Sequence, residues 1–236
     1  IMLGVARELQ SVALSAPIQV RQVPVCAYLW GAAGVGKSTL AELFTRDLCK
    51  ILAKDEPLRQ MFSKPRTSNY WDGYANQMVY LIDDIFQSTD LTDKKKDALD
   101  LIDMVSNHRL PLDMAALEAK GKASFNSEFV FCTSNVAPNF MAAVHGIEEP
   151  DALKRRMHIN LRIMLKPEFY LPGAILDREK LVQLSRVGFS REVYNFVDHE
   201  TAVTYTYDQV LGMLLARHEM EAMIHKNLIA QEKEDA

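Results

Sequence analysis

Residues 23–38 read VPVCAYLWGAAGVGKS, and this stretch decides the fold of the chain. Its first half, Val23 to Trp30, is an apolar run with the length of a strand. Its second half is rich in glycine and ends in Lys37-Ser38. The next apolar residues recur at helical spacing, namely Leu40, Leu43, Phe44, Leu48 and Ile51. A strand, a glycine loop and a helix in this order predict a loop that binds phosphate groups at the start of the helix.

The loop contains the complete motif GxxxxGK[ST] between Gly31 and Ser38. In this motif, main-chain N–H groups wrap the phosphates of a nucleotide, the lysine reaches the β- and γ-phosphates, and the hydroxyl ligates Mg²⁺. We therefore expect Lys37 to be catalytic and Ser38 to bind the metal. The residues expected to hold the nucleotide are Gly31, Ala32, Ala33, Gly34, Val35, Gly36, Lys37, Ser38 and Thr39. A glycine turn with an incidental lysine is disfavoured, because a strand and a helix flank the motif.

Two adjacent acids, Asp83 and Asp84, end a second apolar run, Val79 to Ile82. An acid at the carboxyl end of a neighbouring parallel strand lies beside the phosphate loop, where ligands bind in open α/β sheets. Asp83 is then expected to hold Mg²⁺, and Asp84 to orient or deprotonate the attacking water. The alternative is a solvated turn at the end of the strand, since adjacent aspartates are common there.

Polar side chains also follow two further strands. Asn135 ends the apolar run that begins at Phe129, and its amide can bond the γ-phosphate or the attacking water; the alternative is that it caps its own turn. Arg155 and Arg156 precede residues 157–163, where apolar and polar residues alternate as in a half-buried strand. These arginines are either surface residues or an arginine finger that stabilises charge on the transferred phosphoryl group. Spacing alone does not decide between the two.

The order of the elements predicts an α/β domain. Strands alternate with helices, so we expect a parallel sheet flanked by helices. We divide the chain into an N-terminal helix and linker (1–20), a core (21–170) and a helical C-terminal region (171–236). In the last of these, Thr206 and Gln209 form a capping box that begins a long helix.

Composition narrows the functional class. The net charge of −4 argues against a uniformly basic coat for nucleic acid, so any contact with a polyanion must come from a local cluster. Cys26, Cys49 and Cys132 are far apart and form no CxxC pair, which favours buried thiols. Beyond the Mg²⁺ of the nucleotide we expect no metal site. No signal peptide is visible, and a start at Ile1 inside an apolar helical pattern suggests an origin in a longer polypeptide.

Five segments together resemble one family: VPVCAYLWGAAGVGKS, YWDGY, VYLIDD, LEAKGKASFNSEFVFCTSN and DALKRRM. Over roughly residues 20–165 their order is similar to the replication ATPase of picornaviruses and picorna-like viruses, which are superfamily 3 helicases of the AAA+ class of P-loop NTPases. The resemblance implies that Gly31–Ser38 is the Walker A motif, that Asp83 and Asp84 are Walker B, and that Asn135 is the sensor of motif C. Arg155 and Arg156 then act as finger arginines for the neighbouring subunit.

The resemblance also implies contacts with nucleic acid. Lys120 and Lys122 fall in a segment that faces the central pore of the family's rings. Residues 70–74 match a second pore loop, in which Trp71 and Tyr74 are expected to stack on unpaired bases. For Tyr70 and Trp71 the alternative is that they are surface aromatic residues that pack a loop onto the core. The final helix, 206–230, is expected either to dock on an adjacent subunit or to fold back on its own core. The family's cysteine-rich zinc module is absent from this sequence, and its membrane-binding segment is missing or only grazed by residues 1–16.

These implications together describe a nucleoside-triphosphatase of the RNA helicase type that uses ATP and Mg²⁺. It is expected to form a hexameric ring on single-stranded RNA during viral genome replication, with other viral replication proteins as partners. Its expected location is the host cytoplasm, at virus-induced membranes that it contacts only through N-terminal sequence missing here. Three alternatives remain open: a nucleotide-gated scaffold or RNA remodeller without unwinding, a P-loop kinase, and a relative that unwinds DNA.

Overall fold

The computed structural model describes residues 20–116, 121, 123–138, 147–173, 175–188 and 190–234. In this part of the chain the strands are β1 (Val25–Trp30), β2 (Met61–Phe62), β3 (Val79–Ile82), β4 (Phe129–Ser134), β5 (Ile159–Leu165), β6 (Tyr170–Leu171), β7 (Ile175–Leu176), β8 (Tyr194–Asp198) and β9 (Thr204–Tyr205). The α-helices are α1 (Lys37–Ile51), α2 (Leu91–Met104), α3 (Pro150–Lys154), α4 (Arg178–Val187) and α5 (Tyr207–Glu234). The predicted N-terminal helix, residues 1–16, lies outside the described residues.

The central sheet has the order β2-β3-β4-β1-β5-β8-β9. Its first five strands run parallel, with β1 between β4 and β5. Trp30 is paired with Ser134, and Ile82 with Cys132, so β1, β3 and β4 end at the same edge of the sheet. This register brings the loops after these three strands together, as expected for an open α/β sheet. The predicted α/β class with a parallel sheet flanked by helices is confirmed.

Strand β1 is buried along its whole length because both faces of the sheet are covered. Val25, Ala27 and Leu29 pack in the same cluster as residues of α1 and α5. Cys26, Tyr28 and Trp30 alternate with them and pack with α2 on the other face. The continuous apolar run in the sequence therefore reflects two cores, one on each side of the strand.

The C-terminal part of the chain is helical only in part. Strand β5 is half-buried and alternates, as predicted for residues 157–163, but β8 then pairs with it antiparallel and β9 extends the edge. The sequence pattern did not predict β8, because its alternation of Tyr194 and Phe196 with polar residues lasts for only five positions. These strands join the region after residue 170 to the same sheet as the phosphate loop.

Helix α5 begins where the capping box predicts. The amide of Gln209 donates to Thr206 Oγ1 at 3.3 Å, and the amide of Thr206 donates to Gln209 Oε1 at 2.8 Å. The first half of the helix folds back on its own core, since Val210 and Leu214 are fully buried. Its second half carries apolar side chains that are exposed, namely Met220, Met223, Ile224 and Leu228. No helix in the described ranges is both long and apolar enough to cross a bilayer.

Candidate functional site

The loop between β1 and α1 has the backbone that the glycine motif predicts. Gly34 and Gly36 adopt φ values of 86° and 84°, which residues with a Cβ atom rarely do. Gly31 approaches β5 so closely that a Cβ atom would lie 2.5 Å from the main-chain oxygen of Ile163. Helix α1 starts at Lys37 with no side-chain cap, so its first N–H groups point towards the loop as an anion site requires.

Lys37 joins the loop to the end of β4. Its side chain is only 8% exposed. The ammonium group donates to the main-chain oxygens of Gly31 and Ala32, each at 3.1 Å, and to Asn135 Oδ1 at 2.6 Å. Burial lowers the pKa of Lys37, while the carboxylates of Asp84 and Asp83 act in the opposite direction. The positive charge is thus held in place between the loop and two carboxylates.

The acids lie beside this lysine. Ser38 Oγ donates to Asp83 Oδ1 at 3.2 Å, and the hydroxyl of Thr133 donates to the same carboxylate. Asn135 Nδ2 lies 3.5 Å from Asp84 Oδ1. The ends of β1, β3 and β4 therefore bring Lys37, Ser38, Asp83, Asp84 and Asn135 into one cluster.

This cluster opens into a cleft of about 890 Å³. Most of the predicted nucleotide-binding residues line it, namely Ala32, Ala33, Gly34, Gly36, Lys37, Ser38 and Thr39. Gly31 and Val35 do not. The amide of Gly31 is already bonded to the oxygen of Ser134, as a continuation of the sheet, and the side chain of Val35 is fully buried in the core. These two residues therefore support the loop on the side that faces away from the cleft.

One wall of the cleft comes from residues that the sequence analysis missed. Strand β7 and helix α4 supply four apolar side chains and one arginine, in order Ile175, Leu176, Arg178, Leu181 and Val182. The side chain of Asp177 caps α4 by accepting from the amides of Glu179 and Lys180, each at 3.1 Å. No motif marks this wall, because its residues follow the phosphate loop by about 140 positions and reach it only through the fold.

The C-terminal strands also hold the phosphate loop. Tyr194 Oη, on β8, donates to the main-chain oxygen of Gly36 at 3.2 Å. Asp47, on α1, is paired with Arg191 and accepts from Tyr207 Oη at 2.8 Å. The position of the loop and of the helix behind it therefore depends on residues 191–207.

The part of the chain that forms this cluster also matches a known protein family in sequence. The family model for RNA helicase matches residues 27–136, from β1 to just beyond Asn135. The chain carries a superfamily 3 helicase module. It is 38% identical over 166 residues to the genome polyprotein of avian encephalomyelitis virus (strain Van Reokel), which covers 70% of this chain and 7% of the polyprotein. It is also 39% identical over 140 residues to the genome polyprotein of human hepatitis A virus genotype IB (isolate MBB), covering 59% of this chain and 6% of that protein.

The chain thus spans less than a tenth of the length of these relatives. The matching family consists of helicases, so the match implies an enzyme that hydrolyses a nucleotide, in the broad sense. The match includes every residue of the Lys37 cluster described above, from the phosphate loop to the end of β4. It does not include the apolar wall.

The two arginines that follow the helicase core occupy different environments. Arg155 is exposed, and its Nε donates to the main-chain oxygen of Asp151, on the preceding turn, at 3.3 Å. Arg156 is half-buried, and it donates to the oxygens of Ile102 at 3.0 Å and Ala152 at 2.8 Å. Burial lowers the pKa of Arg156. Neither arginine lines the cleft of its own chain. Arg156 fastens α3 to α2, whereas Arg155 faces outward.

The aromatic residues of the helicase module that were expected to stack on bases are in the core. Trp71 is 9% exposed and Tyr74 is 8% exposed, and both rings pack against Phe62 and Phe125. Tyr74 Oη also accepts from the amide of Asn126 at 2.7 Å. Stacking on a base requires an open ring face, so the structure contradicts the predicted RNA-binding role of Trp71 and Tyr74. Lys120 and Lys122 lie outside the described residues.

Proposed function

We propose that this chain hydrolyses ATP with Mg²⁺ and that it is the motor domain of a ring that moves along, or remodels, single-stranded RNA during viral genome replication. The observation that carries the proposal is the convergence of Lys37, Ser38, Asp83, Asp84 and Asn135 at one edge of the sheet. A lysine, a hydroxyl, two carboxylates and an amide at the start of a helix are the groups that phosphoryl transfer to water requires.

The cleft has separate places for the parts of a nucleotide. The phosphates would lie at the N-terminus of α1, where the main-chain N–H groups and Lys37 supply positive charge. The base would lie against the apolar wall of β7 and α4. Ser38 and Asp83 offer hard oxygen ligands 3.2 Å apart, a donor set that suits Mg²⁺. When bound, this ion would neutralise charge on the β- and γ-phosphates.

The hydrolytic step would use the remaining two side chains. A water molecule attacks the γ-phosphorus, its proton passes to the carboxylate of Asp84, and the bond to the β-phosphate oxygen breaks. Asn135 bonds both Lys37 and Asp84, so it would keep the cation and the base at a fixed separation. This arrangement works by positioning and electrostatics, which supply most of the catalysis in such reactions.

The ring and the RNA belong to the same proposal. Arg155 faces outward on its own chain, as a finger for a neighbouring active site must. Lys120 and Lys122 would provide contacts to phosphate groups in the pore. We place the protein with other viral replication proteins at membranes of the host cytoplasm. The relatives in which similar segments occur are genome polyproteins of viruses, which supports this setting.

Phosphate release from ATP by the purified protein tests the nucleotide part. With Mg²⁺ present we expect turnover, and we expect Lys37→Ala to abolish it while the protein stays folded. Lys50→Ala is the matched control, because Lys50 is exposed at the far end of the same helix. Hydrolysis by Lys37→Ala at the wild-type rate would show the assignment to be wrong. If the chain is a kinase, it should consume ATP faster with a small acceptor than with water. If it is a scaffold, the Asp84→Asn variant should keep its cellular role.

A further inference from the structure

Arg66 and Asp97 hold the turn that carries the two Walker B acids. Arg66 lies in the loop after β2; its guanidinium donates to the main-chain oxygen of Asp84 and to the carboxylate of Asp97 on α2. Asp97 Oδ2 also accepts from the amide of Phe86 at 2.9 Å. The pair therefore contacts the turn Asp83–Phe86 at two places, a carbonyl group and an amide.

This turn has a backbone that needs such support. Asp84 has φ of 53° and Phe86 has φ of 62°, both in the left-handed region that side chains disfavour. Such conformations persist where the surroundings over-determine them, and they are frequent at active sites. On the other side of the turn, Thr133 accepts from the amides of Asp84 at 3.2 Å and Ile85 at 2.9 Å. Strand β4 thus fixes one half of the turn, and the Arg66–Asp97 pair fixes the other.

We propose that Arg66, together with Asp97, is a positioning residue that aims the carboxylate of Asp84 at the attacking water. The proposal rests on the function proposed above, and it gives Arg66 a role without contact to nucleotide or metal. Arg66 bonds the main chain of Asp84. Removal of Arg66 therefore keeps the carboxylate of Asp84 but no longer fixes the direction in which this carboxylate points. A displacement of about 1 Å at a catalytic group costs on the order of 100-fold in rate.

The pair differs from an ordinary surface ion pair in what it contacts. The side chain of Asp97 is only 15% exposed, and its second bond goes to the amide of Phe86. The Arg59–Glu56 pair has the same chemistry and lies shortly before β2, but its side chains are 80% and 64% exposed. Exposed pairs of this kind contribute little to stability. Arg59→Ala is therefore a matched control for Arg66→Ala.

The test compares Arg66→Ala, Arg66→Lys and Arg59→Ala by steady-state ATP hydrolysis and by nucleotide affinity. We expect Arg66→Ala to lower kcat by about 10- to 100-fold while the Kd for ATP changes by less than about threefold. Lysine can make one of the two contacts, so Arg66→Lys should recover part of kcat. Asp97→Asn is measured as well. The double variant Arg66→Ala/Asp97→Asn should have a kcat no lower than that of the slower of Arg66→Ala and Asp97→Asn, because the two residues act as one unit.

Hydrogen exchange provides a readout that does not depend on activity. In Arg66→Ala the amides of residues 84–86 should exchange at least about tenfold faster than in the wild type, whereas Arg59→Ala should leave them unchanged. Unchanged exchange, or a fall of kcat no greater than that in Arg59→Ala, overturns the inference. A loss confined to KM overturns it as well. If the wild type hydrolyses no nucleotide, the proposed function fails, and exchange at these amides alone then decides whether the pair holds the turn.

Discussion

Asn135 Oδ1 lies 2.6 Å from the ammonium nitrogen of Lys37, so the end of β4 is bonded directly to the phosphate loop. Asn135→Ala removes this bond and the contact to Asp84 without changing any charge. We expect kcat for ATP hydrolysis to fall by about 100- to 1000-fold, as when a preorganised polar group is lost from an active site. Nucleotide affinity should fall far less, because the N-terminus of α1 and Lys37 remain.

Asn126→Ala provides the comparison for Asn135. Asn126 bonds Asn76 through its side chain at 3.2 Å, outside the residues that line the cleft. Its removal should leave kcat within about twofold of the wild type. If Asn135→Ala instead weakens nucleotide affinity and leaves kcat unchanged, the amide serves binding only.

Of the two arginines after α3, we predict that Arg155 has a catalytic role and that Arg156 has a structural role. Arg155→Ala should lower ATP hydrolysis by on the order of 10³-fold or more with an unchanged unfolding midpoint. Mixing Arg155→Ala with Lys37→Ala should restore activity, because some subunit boundaries then join an intact phosphate loop to an intact arginine. Arg156→Ala should instead destabilise the protein by about 1–3 kcal/mol, since two main-chain oxygens lose their donor.

Mixing has to be shown by subunit exchange, for example between two differently labelled proteins. A mixture that exchanges subunits and stays inactive would exclude a finger that acts across the boundary. Equal loss of stability in both single variants would place Arg155 with Arg156 as a structural residue.

Binding to RNA should depend on Lys120 and Lys122 and not on the buried aromatic residues. Changing both lysines to alanine should weaken affinity for all RNA sequences about equally and reduce the salt slope by about 0.7 for each RNA phosphate that is no longer neutralised. Basal ATP hydrolysis should be nearly unchanged. Trp71→Ala should destabilise the fold by about 3–5 kcal/mol, because its ring is part of the core. If the double lysine variant has unchanged RNA affinity and an unchanged salt slope, both lysines are ordinary surface residues without a role in RNA binding.

Acid should destabilise the protein through His158. Burial lowers the pKa of this histidine to about 4, with the charges of Arg217 and Arg156 acting in the same direction, and its neutral Nδ1 accepts from the amide of Cys26 at 3.0 Å. The unfolded chain therefore binds a proton below about pH 6.5 that the folded chain binds only near pH 4. Between pH 7 and 5 the free energy of unfolding should fall by about 2 kcal/mol from this group.

Denaturant unfolding at a series of pH values measures this slope. His158→Gln should flatten it, because glutamine offers an acceptor that does not titrate. His199→Gln, at an exposed position, should retain the wild-type slope. A slope that is equal in His158→Gln and the wild type would assign the acid sensitivity to other groups.

The sequence predicted which side chains converge at the carboxyl edge of the sheet, because that edge follows from local rules. A buried strand that ends in polar residues places them at the carboxyl edge of a parallel sheet, whatever the rest of the chain does. Asp83 and Asp84 follow β3, Asn135 follows β4, and Lys37 begins the helix after the loop that follows β1. Arg156 illustrates the limit. Its role depends on the position of Ile102, 54 residues earlier, and no spacing rule contains that contact.

The misses share the same cause. Trp71 and Tyr74 are surrounded by polar residues in the sequence, which suggests an exposed loop, but the nearby Phe62 and the distant Phe125 pack against them and bury them. Strand β8 is too short for its alternation to stand out, and the apolar wall of the cleft has no motif. In each case tertiary packing, rather than local pattern, decided the environment.

The bond from Tyr194 to Gly36 has a consequence for the order in which the protein is made. The phosphate loop leaves the ribosome before the strand that holds it and the wall that would receive the base, which are made about 140 to 160 residues later. A nascent chain that stops before β8 has the full Walker motifs without a finished cleft. The nucleotide that we propose for this cleft is therefore expected to associate with the protein only after synthesis has passed Tyr194.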